Sequence, residues 1–184
     1  MTAGESFLSA SDVAGMGLAA MGENLRISRF ARLYSPARIH LGNDVRIDDF
    51  AILSPGEDDI YLEGHNHIGA GSMLFGGVRM KEWSTLSGRV GVYGISDDFA
   101  VDALTYPQAD PSGRVLKQMP VLIDSRVVVG TGSTILPGVH IVAGISVGAM
   151  SLVTTSLTKA GIYAGIPVEW LGPRRAPSSA PDVD

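Results

Sequence analysis

A six-residue period of large apolar side chains runs through the second half of the chain. The first column of this repeat consists of Ile123, Val129, Ile135, Ile141, Val147 and Val153. A second column of apolar or small residues follows four places later, at Val127, Ser133, Val139, Ile145, Ser151 and Leu157. An amphipathic helix repeats every 3.6 or so residues and a strand about every two, so this period predicts short strands joined by regular turns, as in a parallel β-helix.

The same period appears earlier in the chain. Its first column is Leu62, Ile68, Leu74, Met80, Leu86 and Val92, and its second is Asn66, Ser72, Val78, Ser84, Val90 and Ser96. A shorter stretch, with Leu41, Ile47 and Leu53, precedes it, and the longer step from Leu53 to Leu62 predicts an outward bulge at residues 55–59. Since three hexapeptides form one triangular coil, stacked coils are expected to close a core that a single coil cannot bury.

The period is interrupted at residues 97–120, which are rich in aspartate, proline and glycine. We expect this segment to be a long excursion loop that leaves the β-helix. Loops of this length are uncommon in compact domains and are often functional. Phe99, Leu104, Tyr106 and Met119 predict apolar anchors for the loop.

The two ends of the chain differ from the repeat. Ser9 and Asp12 offer capping side chains for a short helix, so residues 1–26 are expected to form a helical or irregular N-terminal segment. Residues 27–171 then form the β-helix domain, and residues 172–184 an irregular C-terminal tail. The predicted fold class is therefore all-β: a single-stranded parallel β-helix with one short helix and one excursion.

Composition narrows the function classes. The 184 residues are 45% hydrophobic and carry a formal net charge of -5, which argues against nucleic acid as a partner. With no cysteine, the chain has no thiolate nucleophile. No basic leader precedes an apolar stretch, and no apolar run approaches the roughly 20 residues of a spanning helix. We expect a soluble, cytoplasmic protein without membrane insertion.

Three segments in the last third of the chain are the most specific. Residues 129–139, 147–154 and 162–168 resemble the final coils and exit segment of the left-handed β-helix, hexapeptide-repeat acyltransferases, and the match extends over about residues 39–171. The resemblance implies left-handed coils, a homotrimer, and acetyl-CoA or another acyl-CoA bound between neighbouring subunits as co-substrate.

Shorter segments are similar to a sugar-modifying subgroup of that family, at residues 45–50, 67–68, 74–77 and 96–99. This similarity implies acylation of an amino sugar carried on a nucleotide diphosphate, in the supply of O-antigen and related surface glycans. Residues 105–107 are similar to antibiotic-acetylating members. An O-acetyltransferase of simple galactosides or antibiotics, and a non-catalytic β-helix scaffold, are the alternatives.

The excursion contains no histidine, although many members of that family use a loop histidine to deprotonate a sugar hydroxyl. Asp97 and Asp98 stand about where it is expected. An aspartate carboxylate, with an ordinary pKa of about 3.9, is a poor base toward a hydroxyl, whereas a neutral amine presents its own lone pair. The sequence therefore predicts N-acylation, with Asp97 first and Asp98 second as orienting or basic groups. The alternative is that both carboxylates only cap a turn.

His67 is a further candidate base, because its place in the hexapeptide points outward. A surface histidine with one structural hydrogen bond is the alternative. His65 and His67 are two residues apart, so on a strand they would share one face, as two ligands of a zinc ion could. His40 and His140 are the only other histidines and stand in no recognisable zinc-ligand spacing, so no metal site is expected.

The resemblance also implies binding residues. The backbone N–H of Thr131 matches the oxyanion donor. The residues matching the acyl-CoA contacts are Gly130, Gly148, Ala149, Ile166 and Pro167, and Lys159 is a candidate for the CoA phosphates. The candidates for the sugar nucleotide are Arg46, Ser87, Arg89 and Asp102. Tight coil corners also require glycines, and a corner serine is often structural.

Overall fold

The computed structural model of the protein describes residues 6–108 and 110–175. These residues form a parallel β-helix whose faces are three sheets of 6, 8 and 6 strands. Neighbouring strands within each sheet come from successive coils and are parallel, apart from the last strand of the second sheet. The predicted fold class is confirmed. The C-terminal tail beyond Arg175 lies outside the described residues.

Each coil contributes one short strand to each face. The first sheet consists of β1 (Ala20–Met21), β4 (Ile39–Asn43), β7 (Ile60–Gly64), β10 (Val78–Met80), β15 (Val121–Ile123) and β18 (His140–Ile141). The second consists of β2 (Arg26–Ile27), β5 (Arg46–Ile47), β8 (His67–Ile68), β11 (Thr85–Leu86), β16 (Val128–Val129), β19 (Ser146–Val147), β21 (Ile162–Gly165) and β22 (Val168–Gly172). The third consists of β3 (Arg32–Leu33), β6 (Ile52–Ser54), β9 (Met73–Phe75), β12 (Gly91–Tyr93), β17 (Thr134–Ile135) and β20 (Leu152–Val153).

The two predicted columns form the core. Every residue of the first column in both blocks is buried, because the parallel register stacks each one on its counterpart in the next coil. The second column is buried as well, with the exception of Ser96, which is half-buried. The reason for this exception is that the chain leaves the coil at Gly94, before Ser96 is reached.

Asn66 is a polar residue of the buried column whose hydrogen bonds are satisfied. Its Nδ2 donates to the carbonyl oxygen of Lys81 at 2.9 Å and to the Oγ of Ser84 at 3.0 Å, and its Oδ1 accepts from the Gly64 N–H at 3.0 Å. A buried amide without partners would be costly, so these bonds explain how the column tolerates asparagine.

The N-terminal segment contains the predicted helix, α1 (Ala10–Ala14). Ser9 and Asp12 form a capping box, in which each side chain accepts from the other residue's backbone N–H at 3.1 Å. Parallel pairing already begins at Ala20, which pairs with His40 in the next coil, so coil structure extends into the segment assigned to residues 1–26.

The excursion is present and begins with a hairpin. Strands β13 (Ile95–Asp97) and β14 (Leu116–Gln118) pair antiparallel, and the Met119 N–H donates to the Gly94 carbonyl at 2.9 Å where the chain returns. Phe99 and Tyr106 are 87% and 63% exposed, so the prediction that they anchor the loop to this chain is wrong. Among the described residues, no helix combines the length and apolarity needed to cross a membrane.

Candidate functional site

A cleft of about 450 Å³ lies between the base of the excursion and the outer face of the third sheet. The excursion contributes Asp97, Asp98 and Lys117, and the sheet contributes side chains that include Tyr93 and Thr134. Three charged side chains thus face a wall of aromatic, aliphatic and hydroxyl groups. The cleft occurs where the six-residue period stops, because the chain there no longer turns back into the coil.

Asp97 ends strand β13 and lines this cleft. Its Oδ1 accepts from both Nη2 and Nε of Arg114, at 2.8 and 3.3 Å. Within residues 6–108 and 110–175, its Oδ2 has no hydrogen-bond partner. The carboxylate is therefore held at one oxygen and open at the other.

Asp98 lies in a different environment although it lines the same cleft. Its Oδ1 accepts from the N–H of Ala100 at 3.0 Å, which closes a short turn at the start of the loop. The turn-capping role considered for both carboxylates thus describes Asp98. Asp97 makes no such bond to the turn.

A second group of candidates lies at the corner between the second and third sheets. Ser87, Gly130 and Gly148 follow three stacked strands of the second sheet, and Thr131 and Ala149 are the next residues of the upper two coils. The Ser87 hydroxyl and the Thr131 N–H have no hydrogen-bond partner in the described part of the chain. Both groups are half-buried and available to a bound molecule.

The glycines at this corner have a packing role in the protein itself. A Cβ on Gly130 would lie 2.4 Å from the backbone nitrogen of Ala149, and one on Gly148 would lie 2.9 Å from the Cβ of Ala164. Successive coils therefore approach too closely for a side chain at either position. Coil packing explains both glycines, whatever else the corner binds.

Ser87 and Asp97 lie beyond opposite ends of strand β12 of the third sheet. Ser87 precedes β12, which crosses that face, and Asp97 follows it on the excursion hairpin. The cleft beside Asp97 is lined by neither Ser87 nor Thr131. One copy of the chain thus presents the carboxylate and the corner donors on separate parts of its surface.

His67 makes a specific hydrogen bond to an aspartate. Its Nε2 lies 2.7 Å from Oδ2 of Asp48, whose Oδ1 accepts from Nε of Arg46 at 2.7 Å. Burial raises the pKa of Asp48, but its hydrogen bonds to His67 and Arg46 and their charges outweigh burial, so the pKa lies below its ordinary value. His67 and Arg46 therefore pair with a stable carboxylate on the outer face of the second sheet.

The other histidines also contact aspartates. Nε2 of His40 lies 2.8 Å from Asp59, and Nε2 of His140 lies 2.9 Å from Asp124. No group of three or more histidine, cysteine, aspartate or glutamate side chains converges as a metal site within residues 6–108 and 110–175.

The remaining candidates are dispersed. Lys159 Nζ lies 3.4 Å from the centre of the Trp170 ring, and Ile166 and Pro167 are exposed at the turn between β21 and β22. Arg89 occupies an exposed corner with a φ of 58°. Asp102 is exposed on the loop and does not line the cleft.

Sequence reasoning missed Arg114, the partner of Asp97. The two residues are 17 positions apart, and only the hairpin register brings them together. No periodic signal in the excursion marks this arginine.

Two proteins of Escherichia coli are similar to the chain over most of its length. No family model matches the chain. A dTDP-4-amino-4,6-dideoxy-D-glucose acyltransferase from Escherichia coli is 31% identical over 161 residues, which span 86% of this chain and 84% of that protein. WbbJ of Escherichia coli (strain K12), which bears the name of a lipopolysaccharide biosynthesis O-acetyl transferase, is 25% identical over 170 residues, 90% of this chain and 68% of that protein.

Solved structures extend the comparison. AntD, an N-acyltransferase from Bacillus cereus in complex with dTDP and 3-hydroxybutyryl-CoA, superposes with a TM-score of 0.88 and 37% identity, covering 92% of this chain and 90% of that one. The two chains share the β-helix fold and are also this similar in sequence over nearly their whole length. Such similarity indicates membership of one family and not only a common fold. The chain belongs to the hexapeptide-repeat, acyl-CoA-dependent sugar acyltransferase family.

Proposed function

We propose that this protein transfers an acyl group from acyl-CoA to the amine of a nucleotide-linked amino sugar. The observation that carries the proposal is the cleft-lining Asp97, whose Oδ2 is free and which occupies the excursion where a catalytic histidine is missing. The relatives that act on dTDP-linked amino sugars support this choice of acceptor.

The chemistry needs little from the protein beyond placement. The neutral amine nitrogen attacks the thioester carbonyl carbon, the C–S bond breaks, and the sulfur leaves as the thiol of coenzyme A once it has gained a proton. Asp97 Oδ2 orients the amine and accepts the proton that the nitrogen loses after attack. The free N–H of Thr131 is suited to stabilise the oxygen that becomes negative in the tetrahedral intermediate.

The solved variants of AntD support a role for both Asp97 and Ser87 in the site. Solved variants of AntD replace an aspartate by alanine or asparagine, and a serine ten positions earlier by alanine, cysteine or threonine. In this chain Ser87 precedes Asp97 by the same interval. We infer that these two residues are the counterparts and that the Ser87 hydroxyl contacts the reacting groups.

Acceptor preference tests the proposal. With acetyl-CoA or 3-hydroxybutyryl-CoA as donor, we expect thiol release with dTDP-4-amino-4,6-dideoxyglucose and at least about 1,000-fold slower release with the analogue that has a hydroxyl at the same carbon. The reason is that a carboxylate cannot deprotonate a hydroxyl efficiently. Faster release with the hydroxyl analogue would indicate an O-acyltransferase, and no release with any acceptor would indicate a scaffold.

We propose a homotrimer with each site shared by two subunits. The separation of Asp97 from Ser87 and Thr131 within one chain supports this arrangement, because neighbouring copies can bring the two surfaces together. The large apolar side chains that the excursion exposes, among them Phe99, Leu104 and Tyr106, support it as well, since a surface rich in exposed apolar groups is suited to contact with another subunit. The implied location is the cytoplasm, where acyl-CoA is available, and the implied product is a precursor of surface glycans.

Mixed assemblies test the shared site. Asp97→Asn removes the carboxylate, and Ser87→Tyr fills the corner with a ring, so each variant alone is expected to be nearly inactive. Trimers reassembled from equal amounts of the two should regain about a quarter of wild-type activity, because mixed trimers contain one intact site. Persistent inactivity of the verified mixture would place both groups in the same subunit.

A further inference from the structure

Arg114 is the residue that fixes the orientation of Asp97. Its Nη2 and Nε both donate to Oδ1 of Asp97, at 2.8 and 3.3 Å, and neither donates to Oδ2. The two side chains are only 22% and 24% exposed, so the pair is shielded from bulk water. A planar guanidinium that contacts one oxygen through two donors restricts rotation of the carboxylate.

The hairpin at the base of the excursion determines this geometry. Asp97 is paired with Leu116, and the N–H of Asp98 donates to the carbonyl of Val115 at 2.9 Å, so the backbone register is fixed within one residue of the ion pair. Arg114 is the residue immediately before that rung. Its guanidinium therefore reaches Asp97 from the segment that leads into β14.

Other charges around the carboxylate do not replace this contact. Asp98 is engaged by its turn, and the Lys117 side chain lines the cleft but its ammonium makes no hydrogen bond or ion pair among the described residues. The sheet side of the cleft contributes uncharged groups such as Tyr93, Thr134 and Thr154. Arg114 is thus the cation in direct contact with Asp97.

We propose that Arg114 is a positioning residue, which holds Oδ1 of Asp97 so that Oδ2 faces the acceptor amine. This inference rests on the proposed N-acylation and adds a residue to it. Arg114 acts through Asp97 and does not touch the substrate. A purely structural role would instead be to hold the excursion in place without effect on the carboxylate.

A double-mutant cycle distinguishes these roles. In steady-state thiol release with dTDP-4-amino-4,6-dideoxyglucose, Arg114→Met should lower kcat about 10- to 100-fold and leave the KM for acyl-CoA unchanged. Arg114→Lys, which keeps the charge but not the fork, should recover part of the loss. Combined with Asp97→Asn, the Arg114→Met change should cost nothing further, because its target is already gone.

The outcomes separate the role of Arg114 from the role of Asp97. A matched control, Arg79→Met, removes an arginine whose ion pair with Glu63 lies away from the cleft, and should retain wild-type kcat. If Arg114→Met slows the Asp97→Asn variant by the same factor as it slows wild type, or leaves wild-type kcat unchanged, the positioning role is wrong. If Asp97→Asn itself has no effect, the proposed function of Asp97 fails instead. Should Arg114→Met not fold, as judged by thermal denaturation, the same cycle with Arg114→Lys decides.

Discussion

Replacement of Asp97 by asparagine is expected to lower kcat for sugar N-acylation by about 1,000-fold. The amide keeps the size and one oxygen of the side chain, but it cannot accept the proton that the attacking nitrogen loses. It also loses the charge that pairs with Arg114 at 2.8 Å. Because the change is confined to the cleft, binding of coenzyme A, measured by titration calorimetry, should be close to that of wild type.

Asp98→Asn is the matched control for that experiment. Asparagine retains the Oδ1 that accepts from Ala100, so the turn should persist and kcat should fall by no more than a few-fold. A large loss in Asp98→Asn together with a small one in Asp97→Asn would exchange the roles of the two carboxylates.

The buried columns could be predicted from the sequence because the period alone determines which side chains point inward. Ile135 and Val139, for example, are buried because each coil has three equivalent faces, whatever the chemistry of the outer residues. Ser96 departs from the pattern for a local reason. The column has no continuation where the chain turns outward into a hairpin.

Contacts between distant residues could not be predicted in this way. Arg114 reaches Asp97 only through the hairpin register, and His67 reaches Asp48 through the register of neighbouring coils. Phe99 shows a different limit. Its apolar ring was expected to anchor the loop, but the ring is 87% exposed, because hydrophobicity alone does not determine whether a side chain is buried.

The sequence ranked Asp97 ahead of Asp98 by its position at the start of the excursion, but it did not reveal the different hydrogen bonds of the two side chains. Both side chains line the cleft, but strand β13 ends at Asp97 and Asp98 begins the turn that follows. Only the three-dimensional arrangement shows that Asp98 caps a turn whereas Asp97 keeps a free oxygen beside the cleft.

Ile68→Ala is expected to lower the free energy of unfolding by about 2–5 kcal/mol. Ile68 is fully buried and stacks on Ile47 below and Leu86 above, so the cavity affects two coil interfaces. The reason for a large effect is that each coil of a solenoid is stabilised only by its neighbours. Chemical denaturation followed by circular dichroism measures the change.

Ile162→Ala is the comparison for this substitution, because Ile162 is 37% exposed at the outer surface of the second sheet. It removes the same atoms without opening a cavity, so it should cost less than about 1 kcal/mol. Equal losses for the two variants would mean that the stacked column does not determine stability. A larger loss at Ile68 would show that the apolar column of the six-residue period holds the coils together. The excursion that carries Asp97 projects from these coils.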